Sequence, residues 1–305
     1  MKVTLEQWRM LKAVVDHGGF AQAAEAVHKS QSSINHAIHK MEDLLGVKLL
    51  QVKGRKAHLT DAGELLLRRA ERLLESASNI DALAVSLQAG EEAEISIAVD
   101  QIFPADYITE LLVQFSQDYP NTRIQLYETV LSGASEALMQ GQVDLAIAGS
   151  GAAHFLAEPL FAVDFIAVAS PSHPLHQLGR ELAIEDLTPY RQLVTRDSAL
   201  KQSVDSGWLE AEERWTVSNI DTSVDMIRRG VGFAWLPVTR IKELLSSGEL
   251  LPLALESGGQ RNGMLQLYYA KHESCGPGVK HLAQLLHRYC SDDSSNYSKI
   301  VNDIY

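Results

Sequence analysis

Between Ser30 and Lys40 the chain carries Gln31, Ser32, Ser33, Asn35, His36, His39 and Lys40, side chains that can exchange hydrogen bonds with base edges and phosphate oxygens. Gln and Asn suit the edge of adenine, while Ser, His and Lys reach either bases or phosphates. Lys53, Arg55 and Lys56 surround Gly54, the composition of a basic turn that would lie along a phosphate backbone. His36 and His39 stand at i, i+3, but no third ligand sits nearby and a structural metal site wants four, so no metal is expected. The chain has no G-x-G-x-x-G, G-x-S-x-G or H-E-x-x-H motif, and therefore no catalytic residue and no cofactor is expected.

The charge distribution agrees with a polyanion partner for one end only. Residues 1–60 hold nine Lys/Arg against five Asp/Glu, a net +4; the whole chain is −12, so the rest carries −16. A basic head on an acidic body suggests one part that meets nucleic acid and another with a different task. At 305 residues, 46% of them hydrophobic, the chain has material for two or three domains. No run approaches the roughly 18–20 apolar residues of a membrane span, and the polar N-terminus does not read as a signal peptide. Cys275 and Cys290 have neither a redox nor a metal-ligand spacing. A cytoplasmic protein with reduced thiols and no membrane partner is expected.

The elements that must position the polar set can be read in order. Thr4-Leu5-Glu6-Gln7 has the form of a capping box, and Leu5, Trp8, Leu11, Val14 and Val15 recur at helical spacing up to Gly18-Gly19. A second helix is expected from Ala21 to His28, with Ala21, Ala24 and Val27 inward and Gln22 available to DNA. Ser30 is the natural cap of a third helix closed by Gly46. Its inner face would be Ile34, Ile38 (or Ala37), Met41 and Leu45, which turns the polar set outward. Two helices across the short Lys29-Ser30 turn make a helix-turn-helix. Strands at 48–51 and 57–59 would add a wing.

Thr60 should cap one long helix reaching Gln88. Leu66, Leu73, Ile80 and Leu87 repeat every seven residues, and Gly63, Ala70, Ala77 and Ala84 repeat three residues ahead of them. This seam predicts dimerisation through a closely approaching partner helix.

Beyond Gly90 strands and helices alternate. Strands are expected at Ile95–Val99, 123–128 and 145–148, with helices from Pro104 and over 134–140. Further strands fall near 165–169, 192–195, 215–217, 232–236 and 266–271, with helices over 222–229 and 277–290. Such alternation predicts a parallel α/β sheet covered on both faces.

The chain resembles the LysR-type transcriptional regulators over about Thr4 to Cys290. The resemblance rests on Phe20-Ala21-Gln22-Ala23-Ala24, Ser30-Gln31-Ser32-Ser33-Ile34, the run Met41 to Leu50, and Leu59-Thr60-Asp61-Ala62-Gly63. Gly141 to Ile147, Ser172-His173-Pro174-Leu175 and Gly230 to Pro237 extend it into the body. It implies an all-α winged helix-turn-helix domain (1–59), a linker dimerisation helix (60–89) and a two-lobed, periplasmic-binding-protein-like α/β effector domain (90–292). Lobe I would be 94–161 with 268–292, lobe II 162–267, and a polar tail (293–305) has no counterpart. It also implies double-stranded promoter DNA, a small-molecule inducer and further copies of the chain, as homodimer or homotetramer, as partners, with RNA polymerase a further candidate. The family usually opens the second helix with Gly-Ser-Phe; here Gly18-Gly19-Phe20 replaces the hydroxyl cap at a cost of a few tenths of a kcal/mol. The competing readings are a cytoplasmic solute-binding-like protein with no role at DNA, and an unrecognised enzyme.

Ligands of open α/β sheets sit beyond the carboxyl ends of strands. That rule nominates Asp100, Gln101 and Phe103, then Val130, Leu131 and Ser132, then Gly149 and Ser150. From the other lobe it nominates Thr195, Arg196, Asp197, Asn219, Thr222, Phe233 and Trp235. Many family members carry Ser or Thr where this chain has Asp100-Gln101. An acid there favours a ligand bearing hydrogen-bond donors, with Arg196 available for a carboxylate.

Overall fold

A computed structural model describes residues 2–53, 56–149, 152, 154–201, 204 and 207–292. Arg55, Ser150, the tail 293–305 and the side chains of Lys53 and Lys56 lie outside the described residues, and so do the expectations placed on them. The chain divides into two compact units, Met1–Ala89 and Gly90–Tyr305.

In the first unit, α1 (Leu5–Asp16) begins with the expected capping box: the Gln7 amide donates to Thr4 Oγ1 at 3.2 Å and the Thr4 amide to Gln7 Oε1 at 2.9 Å. The second helix, α2 (Phe20–Ala26), starts one residue earlier than the sequence suggests. Its face is therefore Phe20, Ala23, Ala24 and Val27, and Ala21 is exposed rather than inward. In α3 (Gln31–Leu45) Ser30 Oγ accepts from the Ser33 amide, and Gly46 closes the helix in the left-handed conformation at φ 72°. The strands β1 (Leu50–Lys53) and β2 (Lys56–Leu59) pair antiparallel, Leu50 opposite Leu59, so the first begins two residues later than expected. The α3 helix and β1 are joined by Glu42. Its carboxylate is 4% exposed and accepts from the Leu49 amide (2.8 Å), the Leu50 amide (3.2 Å) and Lys48 Nζ (2.7 Å). Burial pushes this acid up, but the ammonium and two amides outweigh it and hold the group below its ordinary value.

The long helix α4 (Asp61–Gln88) is capped by Thr60, as read. Its seam, however, has two parts. Ala70, 2% exposed, packs with Leu67 and Leu74 into the core of its own unit with α1 and cannot serve a second chain, whereas Ala77 is half-buried and Ala84 exposed. A Cβ at Gly63 would strike the Leu49 carbonyl oxygen, which explains the glycine without any partner helix. Leu73, Ile80 and Leu87 are exposed. Over two or three turns a heptad seam and an ordinary amphipathic face look alike, so sequence spacing could not separate them.

In the second unit the first lobe holds β3 (Glu94–Asp100), α5 (Ala105–Asp118), β4 (Arg123–Thr129), α6 (Gly133–Met139) and β5 (Leu145–Ala148). A 13-residue strand, β6 (Ala157–Ala169), then leads into β7 (Gln192–Thr195), β8 (Arg214–Val217), α7 (Ile220–Arg228), β9 (Phe233–Pro237), α8 (Val238–Ser246) and β10 (Leu251–Pro252). Strand β11 (Gln260–Tyr269) returns to the first lobe, where α9 (Pro277–Asp292) ends the described chain. The sheet order is β4-β3-β5-β11-β6-β9-β7-β8, with β10 on β6. Within each lobe the pairs β3–β4, β3–β5, β7–β8 and β7–β9 are parallel. The sheet is mixed rather than parallel throughout, because β6 and β11 run antiparallel to each other and to β5 and β9. These two strands cross between the lobes and join them. Both are longer than the sequence pattern suggests, and α8 is a helix the pattern does not indicate.

Candidate nucleic-acid interface and interlobe cavity

The α3 helix buries Ile34, Ile38 and Met41 and leaves Gln31, Ser32, Ser33, Asn35, His36, His39 and Lys40 exposed. Gln22 on α2 and the Ser30 cap are exposed beside them. Ser30 Oγ already serves the Ser33 amide, which fixes the start of the helix. His28, at φ 54°, makes the sharp turn that separates the two helices. The result is an unbroken polar face on a helix rigidly seated on an apolar core, free to enter a major groove.

Between the lobes lies a cavity of about 350 Å³. The first lobe contributes Asp100, Gln101, Ile102, Val130 and Leu131; the second contributes Gln192, Leu193, Val194, Thr195, Trp208, Ile220, Ser223, Trp235 and Leu236. The crossover strands add Phe165, Arg261, Asn262 and Gly263. Asp100 is 3% exposed; its Oδ1 accepts from the Ile102 amide at 3.0 Å, and the Leu131 amide is a second donor. Burial raises its pKa to about 7, with nearby Asp197 adding to the rise and the two amides opposing it.

Several hydrogen bonds tie the lobes together around this cavity. Gln101 Oε1 accepts from the Ile220 amide at 3.0 Å, and the Gln101 carbonyl accepts from Arg240 Nε and Nη2 at 3.0 and 2.7 Å. Ser198 Oγ accepts from the Val130 amide at 2.9 Å, Asp197 from the Ser132 amide at 3.2 Å and from its hydroxyl, and Glu136 Oε2 from the Leu200 amide at 2.6 Å. Gly133 lies at this contact, and a Cβ there would strike Ser198 Oγ.

Of the nominated ligand residues the structure brings Asp100, Gln101, Val130, Leu131, Thr195 and Trp235 into one wall. Eight others lie elsewhere, among them Asp197, which is buried and accepts from the Ser132 amide. Phe103 is buried in the first lobe's core, edge-on to Phe161 and Tyr107. Ser132 is engaged by Asp197, and Gly149 is exposed outside the cavity. Arg196, one residue past Thr195, faces away to solvent, since successive strand residues point to opposite sides. Asn219 spends its Oδ1 on the amides of Asp221 and Thr222, capping α7, and the Thr222 side chain is exposed. Phe233 is packed in the second lobe's core behind Trp235 and Trp208.

The rule of carboxyl strand ends misses Gln192, Trp208 and Arg261. Gln192 opens its strand, Trp208 lies in a loop, and Arg261 is on a crossover strand. Arg261 alone left a signal, as an isolated cation entering a long strand. Its guanidinium carbon sits 4.2 Å from the centroid of the Trp235 ring.

A helix-turn-helix unit followed by a two-lobed sheet domain with a cavity between its lobes defines a DNA-binding regulator with a ligand-sensing domain. Residues 5–64 match the bacterial regulatory helix-turn-helix proteins of the lysR family, and residues 88–291 match the LysR substrate binding domain. The chain belongs to the LysR family of transcriptional regulators. It is 30% identical over 262 residues to the HTH-type transcriptional regulator YeeY of Escherichia coli K12, covering 82% of this chain and 83% of that one. It is 29% identical over 252 residues to the transcriptional activator AllS of Klebsiella pneumoniae, covering 81% and 93%. Among solved structures, full-length LysG of Corynebacterium glutamicum shares the fold at a TM-score of 0.52 and 18% identity, covering 95% of this chain and 98% of that one. A further structure of LysG, with bound effector Arg, aligns with the same TM-score of 0.52 and 18% identity over 94% and 98% of the two chains.

Proposed function

We propose that the chain binds promoter DNA as a homodimer or homotetramer, with α3 in the major groove, and that a small molecule held in the interlobe cavity alters that binding. Gln31, Ser32, Ser33, Asn35 and His36 read base edges. Gln22, Ser30, His39 and Lys40 hold the backbone, together with Lys53, Arg55 and Lys56 of the wing. Residues 1–59 are the DNA-binding domain, 60–89 the dimerisation linker through Leu73, Ile80 and Leu87, and 90–292 the effector domain, with lobes 94–161 plus 268–292 and 162–267. The protein works in the cytoplasm by binding and not by turnover, and RNA polymerase is its further partner at the promoter.

The observation that carries this reading is the cavity itself, lined by residues of both lobes and bordered by interlobe hydrogen bonds. A ligand shifts a two-state protein only through different affinity for its two arrangements, and a molecule touching both lobes has that difference. Genome-wide mapping of bound DNA, repeated with Trp235→Ala, tests it. Bound promoters whose occupancy changes with a metabolite in wild type, and not in Trp235→Ala, are expected; a metabolite response that survives Trp235→Ala would refute the cavity as effector site.

A further inference from the structure

Resting on that reading of the cavity, the ligand's chemistry can be argued from three groups in its wall. The first is Gln192, 4% exposed, whose Nε2 donates to the Trp208 carbonyl at 2.7 Å. That carbonyl is an acceptor, so the amide orientation is settled by its partner: Nε2 must face Trp208 and Oε1 must face away. Oε1 is buried and has no hydrogen-bond partner in the protein. A buried acceptor left unpaired is costly, and Gln192 lines the cavity, so this atom calls for an N–H or O–H from outside the chain. Asp100 from the other lobe presents a second buried acceptor to the same space.

The second group is Arg261. Among the described residues no carboxylate lies within ion-pair distance of it, and partial burial disfavours its charged form. A guanidinium held in place by stacking on Trp235 is a fork awaiting a planar anion, and carboxylate is the small planar one. The third group is the aromatic lining. Trp208 and Trp235 have ring centroids 5.8 Å apart, and Phe165 lies on the crossover strand beside Arg261. Such walls take a flat ring by stacking or edge contact. The volume of about 350 Å³ is at the small end for ligand pockets and readily takes one small ring system.

We propose that the cavity binds a small aromatic aminocarboxylate, its donor N–H directed at Gln192 Oε1 and Asp100 and its carboxylate at Arg261. Neither a plain aromatic acid nor a plain aromatic amine satisfies both ends.

Titration calorimetry on the full-length protein with benzoate, aniline and the three aminobenzoate isomers tests this. At least one isomer should bind about tenfold or more tightly than benzoate and aniline, the worth of one charge-assisted or buried hydrogen bond. Arg261→Met should cost that isomer about tenfold and leave aniline unchanged. Gln192→Met, or the more conservative Gln192→Asn if the first does not fold, should weaken the isomer and aniline but not benzoate. Failure of the whole panel to bind, or equal affinity for benzoate and every aminobenzoate, would overturn the ligand class. If a ligand of other chemistry from a broader metabolite panel binds and Trp235→Ala abolishes it, the class falls while the cavity stands as effector site. Aminobenzoate binding that survives the Arg261, Gln192 and Trp235 variants would overturn the cavity itself.

Discussion

Gly133→Ala should loosen the two lobes without weakening either. Gly133 is the first residue of α6, and an added Cβ would strike Ser198 Oγ and come within 3.1 Å of Ser198 Cβ and 3.2 Å of Thr129 Cβ. The serine must move, and its bond to the Val130 amide goes first. If the segment moves as a piece, the bonds from the Ser132 amide to Asp197 and from the Leu200 amide to Glu136 go as well. Each such bond contributes about 0.5–1.5 kcal/mol net. Losing the first alone costs about 1 kcal/mol, and losing all three about 3 kcal/mol, equivalent to amide exchange faster by roughly fivefold and roughly a hundredfold. In the opposite direction, alanine in place of glycine within a helix stabilises it by about 0.5–1 kcal/mol. Global stability should therefore fall by no more than about 2.5 kcal/mol, and hardly at all if only the first bond goes, while the interlobe amides lose protection. Hydrogen-exchange mass spectrometry on peptides covering 128–134 and 196–201 reads both. Adding Ser198→Gly removes the collision, so protection should return at Ser132 and Leu200 but not at Val130, whose acceptor is then gone. Unchanged exchange at all three amides in Gly133→Ala would refute the argument that this glycine sets the lobe contact.

Three further outcomes are expected. Gln31→Ala or Asn35→Ala should weaken the preferred DNA site by about 1–3 kcal/mol relative to random DNA, whereas Arg55→Ala should weaken both and lower the log–log salt slope by about 0.9. Equal losses on specific and random DNA for Gln31→Ala, measured by fluorescence anisotropy, would remove its base-reading role. Ile80, 65% exposed on α4, should lie in a contact between chains, so Ile80→Glu should shift the oligomer toward smaller species in sedimentation velocity. An unchanged sedimentation profile would place the interface elsewhere. Asp100, raised to about 7 by burial, binds more protons in the folded than in the unfolded chain, where carboxylates titrate near 4. Its ionisation therefore costs stability as pH rises from about 4 to about 7, and above that the cost stays constant. Asp100→Asn should raise the melting temperature at pH 7.5 more than at pH 5, and an equal effect at both would show that the acid does not titrate in this range.

The DNA-binding end was legible because its information is local. Thr4 with Gln7, Ser30 with Ser33 and Thr60 with Gly63 act over three residues, and an apolar face at helical spacing decides which side chains of α3 point outward. Those rules depend on nothing beyond one or two turns, so Gln31, Asn35 and their neighbours could be assigned an outward face from the sequence alone. The strand positions of the second unit were legible for the same reason, as was the presence of Asp100, Gln101 and Thr195 at strand ends. What the sequence left open was every question about which partner an element meets. The small-residue stripe suited a second helix, and only the fold shows its Ala70 packed into the core of its own unit with α1 while Ala84 stays exposed. Arg196 and Phe233 were as good candidates as Thr195 and Trp235 until side-chain direction and depth separated them. Gln192, Trp208 and Arg261 come from the start of one strand, a loop and a crossover strand, and they meet because the sheet order places β7, β9, β6 and β11 side by side. Helix caps and amphipathic faces are short-range physics and are written in residue order. A cavity is made by residues far apart in the chain, so its composition exists only once the sheet order and register have brought them together.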